Sequence, residues 1–291
     1  MIIEVRDLRY RYAPKLEALA GISLGIEAGE KVAFLGANGA GKSTLFLHLN
    51  GLLRPTAGTV LYRGRELKYD KRSLAKLRQR VGVVLQDPDA QLFSASIEED
   101  ISFGPINLGL PDAEVVSRVD GAIQRTGLED LRHRPVHGLS LGEKKRVAIA
   151  GVLAMDPSIL VLDEPTAFLD PEAKGRVISL LDEVNREGAT VIIATHDVDL
   201  ACAWADRVFV LSKGRLISQG PVPEVFYQDW SEPGQRLAGE SGLSPSWQRP
   251  WVLEVFERLV EEGLLPGADG PAPTSREGLL RRIAAAKEDQ F

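Results

Sequence analysis

Apolar residues recur along this chain in two rhythms, one near two and one near three and a half. Ile3, Val5 and Leu8, then Leu19, Ile22, Leu24 and Ile26, nearly alternate with polar or small residues, which predicts strands and turns over residues 1–30. Lys31-Val32-Ala33-Phe34-Leu35 is a short apolar strand that runs straight into a glycine-rich loop. The spacing then lengthens. Leu45, Leu49 and Leu52 fall on one side of a predicted helix over 42–50, with Gly51 as its stop. Residues 81–85, 159–162 and 190–194 are further strands, 171–187 a helix, and 207–219 a hairpin with Lys213-Gly214 at its middle. Strands and helices alternating with short connections imply an α/β fold, its largely parallel sheet covered on both faces.

Two segments depart from that alternation. Residues 87–157 read as an inserted, mostly helical subdomain. Within it Asp112 is placed to cap a helix in which Val115, Val116, Val119 and Ile123 recur at helical spacing. After about residue 230 the chain changes again. Residues 231–250 are rich in Gly, Ser and Pro and predict a linker. Val252, Val255, Phe256 and Leu259 then form one helix face. A second helix is expected from Thr274, where Thr274 and Glu277 have capping-box spacing, with Leu279, Leu280 and Ile283 on one side. Two short amphipathic helices are marginal alone in water, so this appendix is expected to dock on something. The expected division is 1–230 as the main domain and 231–291 as linker and helical extension.

Composition narrows the function classes. The 291 residues suffice for one large domain, or one plus a smaller appendix. A net charge of −6 argues against sequence-independent DNA binding as the main role. The single cysteine, Cys202, excludes an intrachain disulfide and reads as a small buried apolar residue. Glu4 and Arg6 break the N-terminal apolar run, unlike a signal peptide. The longest apolar stretch, 147–155, falls far short of the ~20 residues a membrane span needs, so a transport role would require membrane-embedded partners.

The candidate chemistry begins with Gly36-Ala37-Asn38-Gly39-Ala40-Gly41-Lys42-Ser43-Thr44, which follows a predicted strand and opens a helix, the context a phosphate loop demands. Glycines at 36, 39 and 41 let the loop amides point at phosphate oxygens, helped by the helix N-terminus. Lys42 adds a point charge at the β- and γ-phosphates, and Ser43 offers a hydroxyl to Mg²⁺. Asp163 and Glu164 end a buried strand. Asp163 is the candidate metal ligand and Glu164 the candidate general base. Gln86 follows another apolar strand and can reach the metal or the attacking water. His196 closes a third, where a ring nitrogen can contact the γ-phosphate and orient that water. By contrast, His133 and His137 read as a solvated loop: Arg132 and Arg134 flank His133, Pro135 breaks any helix between the two, and no carboxylate or thiol completes a metal set.

With Leu139-Ser140-Leu141-Gly142-Glu143-Lys144-Lys145-Arg146 added, the chain resembles the ATPase subunits of ABC transporters over about residues 1–228. The motifs match in order: Walker A at 36–44, Gln86 as Q-loop, Ser140-Leu141-Gly142-Glu143 as signature, Asp163 and Glu164 as Walker B and catalytic glutamate, Ala167-Phe168-Leu169-Asp170 as D-loop, and His196 as switch histidine. The resemblance implies a P-loop core with a mostly parallel sheet, an N-terminal antiparallel β-subdomain, an inserted helical subdomain and a small C-terminal helical extension. It implies ATP contacts from Tyr12, Gly36, Asn38, Gly39, Ala40, Gly41, Lys42, Ser43 and Thr44, and from Ser140, Gly142, Glu143 and Asp170. Mg²⁺ would be held by Ser43, Gln86 and Asp163. Tyr12 lies where the adenine-stacking aromatic belongs, with Tyr10 as the neighbouring alternative.

The resemblance further implies a dimer in which ATP lies between the 36–44 loop of one subunit and the Ser140 to Gly142 stretch of the other. Two departures stand out: the family's usual signature has Gly at the position of Leu141 and often Gln at that of Glu143. Bulky Leu141 could alter closure, and Glu143 brings a negative charge that Lys144, Lys145 and Arg146 are expected to offset in part. Within the family the chain is most similar to energy-coupling factor ATPases, especially the cobalt- and nickel-uptake type. This rests on Phe46-Leu47-His48-Leu49-Asn50-Gly51, Gln86-Asp87-Pro88-Asp89-Ala90-Gln91-Leu92-Phe93, the stretch from Glu98 to Pro105 and that from Lys144 to Met155. The implied partners are a second copy or a related ATPase, a membrane scaffold subunit and a cargo-binding membrane subunit, with no nucleic acid. Asp87, Asp89, Glu98 and Glu99 are a candidate docking surface for basic scaffold helices. The resemblance implies a transition-metal cation as cargo, cobalt first, with nickel or a B vitamin as the alternatives. The competing classes are a soluble ABC ATPase acting on ribosomes or DNA, which usually carries two cassettes or a coiled-coil insertion, a P-loop kinase, which leaves Ser140, Gly142 and His196 unexplained, and a conventional importer or exporter ATPase, separable by its membrane partners.

Overall fold

A computed structural model of the chain describes residues 1–226, 250–262, 264–265 and 272–288. The chain opens with β1 (Ile3–Ala13), β2 (Leu16–Ile26) and β3 (Lys31–Leu35), then α1 (Lys42–Leu49), β4 (Ala57–Tyr62), β5 (Arg65–Glu66), α2 (Lys71–Arg80) and β6 (Val81–Val84). Three helices follow: α3 (Ile97–Asn107), α4 (Asp112–Thr126) and α5 (Leu141–Leu153). The chain then returns through β7 (Ile159–Asp163), α6 (Pro171–Arg186), β8 (Thr190–Thr195), α7 (Val198–Trp204), β9 (Arg207–Ser212) and β10 (Arg215–Pro221). It ends in α8 (Val222–Phe226), α9 (Trp251–Glu261) and α10 (Arg276–Glu288).

Two sheets result. One is antiparallel, in the order β2-β1-β4-β5; the other has six strands, β10-β9-β3-β8-β7-β6. The latter is parallel except for the β9–β10 hairpin. Strands β7 and β8 are buried at every residue, as a parallel sheet covered on both faces requires. Their period-2 alternation sorts side chains between two cores. Val32, Phe34, Val161, Ile192 and Phe209 pack toward α1 and the antiparallel sheet. Ala33, Leu35, Leu160, Leu162, Val191 and Ile193 pack toward α6 and α7. The expected α/β architecture, with its N-terminal antiparallel sheet, is the one formed.

A third core joins α3, α4 and α5 through Ile97, Ile101, Val115, Val119, Ile123, Val147 and Ala150. Helix α5 serves two cores at once, because Ala148, Ile149 and Val152 on its other side belong to the sheet. In α4 the expected cap is corrected. Pro111 is the N-cap and Asp112 the first helical residue, with no side-chain cap bond. Asp112 there acts only through the helix dipole. Val116 is exposed, so the buried stripe is Val115, Val119 and Ile123.

The C-terminal helices dock on their own chain. Val252, Leu253 and Phe256 of α9, Leu265, and Leu279 of α10 share a core with Trp204, Val222 and Phe226. The Trp251 amide donates to Asp199 Oδ1 at 2.8 Å. Two details differ from the sequence pattern. Val255 and Leu280 are exposed, and Leu253 takes the buried position instead. Helix α10 starts at Arg276, and Ser275 rather than Thr274 accepts from the backbone, at Gly278 N (3.2 Å). Of the linker expected over 231–250, residues 231–249 lie outside the described residues. Among the described residues no helix is long and apolar enough to cross a membrane.

Candidate active site

Strand β3 delivers the chain into the 36–44 loop at the C-terminal edge of the parallel sheet. The loop needs glycine for steric reasons at its ends. A Cβ at Gly36 (φ 156°) would stand 2.4 Å from Leu211 O, and one at Gly41 (φ 106°) 2.8 Å from Ala18 O. Gly41 is also the N-cap of α1, so the helix begins at the loop's inner rim. Loop residues 37–44 line a cavity of about 370 Å³ with Tyr12, Gln86, Asp163 and Glu164. Tyr12 Oη lies 3.2 Å from Thr44 Oγ1. Tyr10 instead stands edge-on to the buried His48 ring, 4.7 Å between centroids, so of the two tyrosines Tyr12 is the one at the cavity.

Lys42 is buried beneath the loop. Its Nζ donates to Gly36 O at 2.6 Å and lies 3.9 Å from the Glu164 carboxylate. Burial lowers its pKa, partly countered by Glu164 and Asp163. Asp163 ends β7 and hydrogen-bonds Ser43; burial raises its pKa, against the effects of Ser43 and Lys42. Glu164 follows in a left-handed conformation (φ 49°), which strains a non-glycine residue. Its amide donates to Ala194 O at 3.0 Å, and its carboxylate meets His196 Nδ1 at 3.0 Å. His196 thus reaches the site through Glu164. The cavity therefore joins a cradle of loop amides with a buried ammonium, two carboxylates at a strand end, and a carboxamide. That set suits a polyphosphate, and Ser43, Asp163 and Gln86 form an all-oxygen donor set that suits a hard divalent cation.

The remaining predicted residues lie elsewhere. Ser140, Gly142, Glu143 and Asp170 do not line this cavity. Ser140 is the N-cap of α5 in a complete capping box. Glu143 Oε2 accepts from Ser140 N (2.7 Å) and from Ser140 Oγ (2.8 Å). Asp170 caps α6 by accepting from Ala173 N at 2.8 Å. A Cβ on Gly142 would meet only ordinary contacts, the nearest Leu169 Cδ2 at 3.5 Å, so packing within the subunit does not demand glycine there. Beside it Leu141 is exposed, and Phe168 is 87% exposed with φ 63°.

The expected offset of the Glu143 charge holds for Arg146 and is corrected for Lys144 and Lys145. Lys144 pairs with Asp89 at 2.6 Å, and Lys145 is buried. The Glu143 carboxyl is held below its ordinary range chiefly by the Ser140 amide and hydroxyl, with smaller help from Arg146 and Arg134. The candidate acidic docking surface is also partly neutralised within the chain: Glu98 pairs with Arg132 (2.5 Å) and Asp89 with Lys144 (2.6 Å). What stands open beside those acids is apolar. Phe93 and Phe103, edge to face at 4.7 Å, are both more than half exposed, as is Ile106.

Sequence reasoning missed Leu16, Glu17 and Ala18, which line the cavity, and Lys145, whose Nζ donates to Glu164 O. The signal for Lys145 was present: it shares helical phase with the buried Ala148, Ile149 and Val152. A larger cleft of about 590 Å³, around Arg54 and Tyr69, includes neither the 36–44 loop nor Asp163 and Glu164.

Comparison with known proteins agrees with this geometry. The family model described as "ABC transporter" matches residues 19–167. The energy-coupling factor transporter ATP-binding protein EcfA of Methanocaldococcus jannaschii is 52% identical over 225 residues, 77% of this chain and 81% of that protein. A putative ABC transporter ATP-binding protein of Methanothermobacter thermautotrophicus is 53% identical over 91% of both chains. Among solved structures, cbiO1 from Clostridium perfringens, part of the ABC transporter complex cbiONQ, superposes with a TM-score of 0.73 at 45% identity, covering 90% of this chain and 97% of that one. A dimeric ATP-binding cassette in a post-hydrolysis state with ADP and Pi superposes at 0.69 with 27% identity, over 76% and 98%. The chain belongs to the ABC transporter ATP-binding family, in its energy-coupling factor branch. It binds and hydrolyses ATP.

Proposed function

We propose that the chain powers an energy-coupling factor importer as a dimer of ATPase subunits, bound peripherally to the cytoplasmic face of the cell membrane. The observation that carries this reading is the split of the site. The cavity holds the loop, Asp163 and Glu164, whereas Ser140, Gly142, Glu143 and Asp170 do not line it. A second subunit unites them by setting its Ser140–Gly142 segment against the nucleotide. The exposed Leu141 and Phe168 and the unconstrained Gly142 support an interface at that face.

In the dimer, Gly36, Asn38, Gly39, Ala40, Gly41, Lys42, Ser43 and Thr44 hold the phosphates, and Tyr12 stacks on adenine. Ser43, Asp163 and Gln86 would hold Mg²⁺, which would supply positive charge against that of the phosphates. Glu164 takes a proton from the attacking water, and His196, already at its carboxylate, steadies that water against the γ-phosphate. Lys42 compensates charge as the phosphate oxygens load. ATP binds the closed dimer more tightly than the open one, and that difference drives the attached membrane helices. The exposed Phe93, Phe103 and Ile106 suit an apolar contact from such a helix.

For cargo we propose a transition-metal cation, cobalt first, then nickel; a B vitamin is the alternative. The motif resemblance to cobalt- and nickel-uptake ATPases and the 45% identity to cbiO1 support it. The enzymatic core of the reading is tested with Glu164→Gln. Turnover falls ~10²–10⁴-fold, the range for loss of a positioned general base. ATP binding persists and light scattering shows an ATP-dependent dimer. Hydrolysis at the wild-type rate overturns the assignment.

A further inference from the structure

Three basic residues open α5, and two of them keep part of their surface in solvent. Lys144 pairs with Asp89, and Arg146 donates to Thr126 O and Gly127 O. Lys145 does not. It is 4% exposed, and its Nζ donates to two main-chain carbonyls, Glu164 O at 2.7 Å and Ala167 O at 2.9 Å. A buried ammonium is costly and persists only where its donors are satisfied.

Those two carbonyls bracket the turn that presents Glu164. The turn is strained at its start, with Glu164 at φ 49°, and Phe168 just after it has φ 63°. Strained backbone holds only where the surroundings over-determine it. Three elements do so for Glu164: β8 accepts its amide at Ala194 O, His196 meets its carboxylate, and α5 holds its carbonyl through Lys145. Ala167 N also reaches Glu164 O, at 3.2 Å, closing the turn that Lys145 clamps.

Helix α5 is also the element whose first turn carries Ser140 and Gly142. One side chain therefore joins the segment proposed to meet the partner's ATP to the turn that aims the carboxylate at the subunit's own ATP. We propose that Lys145 is a positioning residue for Glu164, its ammonium holding the 164–167 turn against α5 so that docking of the signature segment on one nucleotide sets the general base at the other. This rests on the dimer mechanism proposed above.

The test compares Lys145→Met, which keeps the length and removes the donors, with Lys145→Gln, whose amide keeps two N–H donors without charge, in the purified chain. Expected for Lys145→Met is a kcat loss of ~10-fold or more, the scale of a misplaced catalytic group, with ATP affinity within about twofold of wild type and a Hill coefficient near one. Lys145→Gln restores most of the rate. In a Glu164→Gln background Lys145→Met adds no further loss, because it acts through that carboxylate. The inference is overturned if Lys145→Met turns over within about twofold of wild type, or loses the same factor without Glu164. It is equally overturned if the variant loses ATP binding, since Lys145 is then only part of the fold. A Glu164→Gln variant at full activity removes the general-base reading and this inference together; a slow Glu164→Gln beside a wild-type-like Lys145→Met removes this inference alone.

Discussion

The Ser140 hydroxyl is already occupied in the single subunit. It donates to Glu143 Oε2 at 2.8 Å, and that bond helps hold the carboxyl below its ordinary pKa. An approaching γ-phosphate therefore meets a negative charge at the hydroxyl proposed to receive it. Glu143→Gln keeps the capping box, since Gln serves it as well as Glu, and removes the charge. It should lower the ATP concentration for half-maximal dimerisation ~5-fold, about 1 kcal/mol. The thermal midpoint should move by no more than ~4 °C, the share of a lost dipole interaction in a domain of this size. Titrating dimer formation by light scattering in the Glu164→Gln background checks it; an increased ATP requirement would show that Glu143 assists closure. At this scale the sequence displayed the phosphate loop, Asp163, Glu164 and His196, because their chemistry demands those residue types beside strand ends. Lys145 was only half legible: its spacing matches the buried face of α5, but its partner carbonyls come into view only when the helix is laid against the sheet.

Helices show where periodicity suffices and where it does not. Helix α4 was legible because Val115, Val119 and Ile123 make a single stripe. Helix α2 was not, because among its ten residues only Leu77 is buried, leaving no apolar rhythm to detect. Helix α5 is apolar beyond Arg146 because the sheet covers one side and α3 and α4 the other. In α9 the stripe was found with one position misplaced: Val255 fits the spacing, yet the docked helix turns Leu253 inward. Phe256 sits in that contact with the Arg282 guanidinium over its ring, 5.2 Å from the centroid. Phe256→Ala should weaken α9 docking by ~3 kcal/mol, the low end for truncating a buried Phe. Amide exchange through α9 should then accelerate ~100-fold if it opens locally. Unchanged exchange there would mean that α9 is held by other contacts.

For the whole molecule, the partners are the open term. Relatives of this chain are transporter ATP-binding proteins, and cbiO1 is part of an ABC transporter complex, so the transport role proposed above calls for membrane-embedded partners. Tagged chain purified in mild detergent from its native host should carry a polytopic scaffold and a small cargo-binding membrane protein, identified by mass spectrometry. Replacing Phe93 and Phe103 by Ser should strip both while ATP binding persists. Recovery of only ribosomal or soluble partners would overturn the transport reading and leave the ATPase standing.

The sequence by itself determined the sheet, because β3, β7 and β8 are too apolar to be anything but buried. It also determined the phosphate loop, whose glycines and lysine have no other reason to stand after a strand and before a helix. Both are local: they follow from side-chain chemistry within a dozen residues. Tertiary structure alone decided that Tyr12 rather than Tyr10 faces the cavity, that the C-terminal helices rest on α7 and α8, and that Lys145 reaches the carbonyl of Glu164. It also decided that Ser140 and Gly142 lie apart from the cavity they are proposed to complete in a neighbour. These depend on contacts between residues distant in sequence, and no periodicity along one chain encodes which distant face a side chain meets.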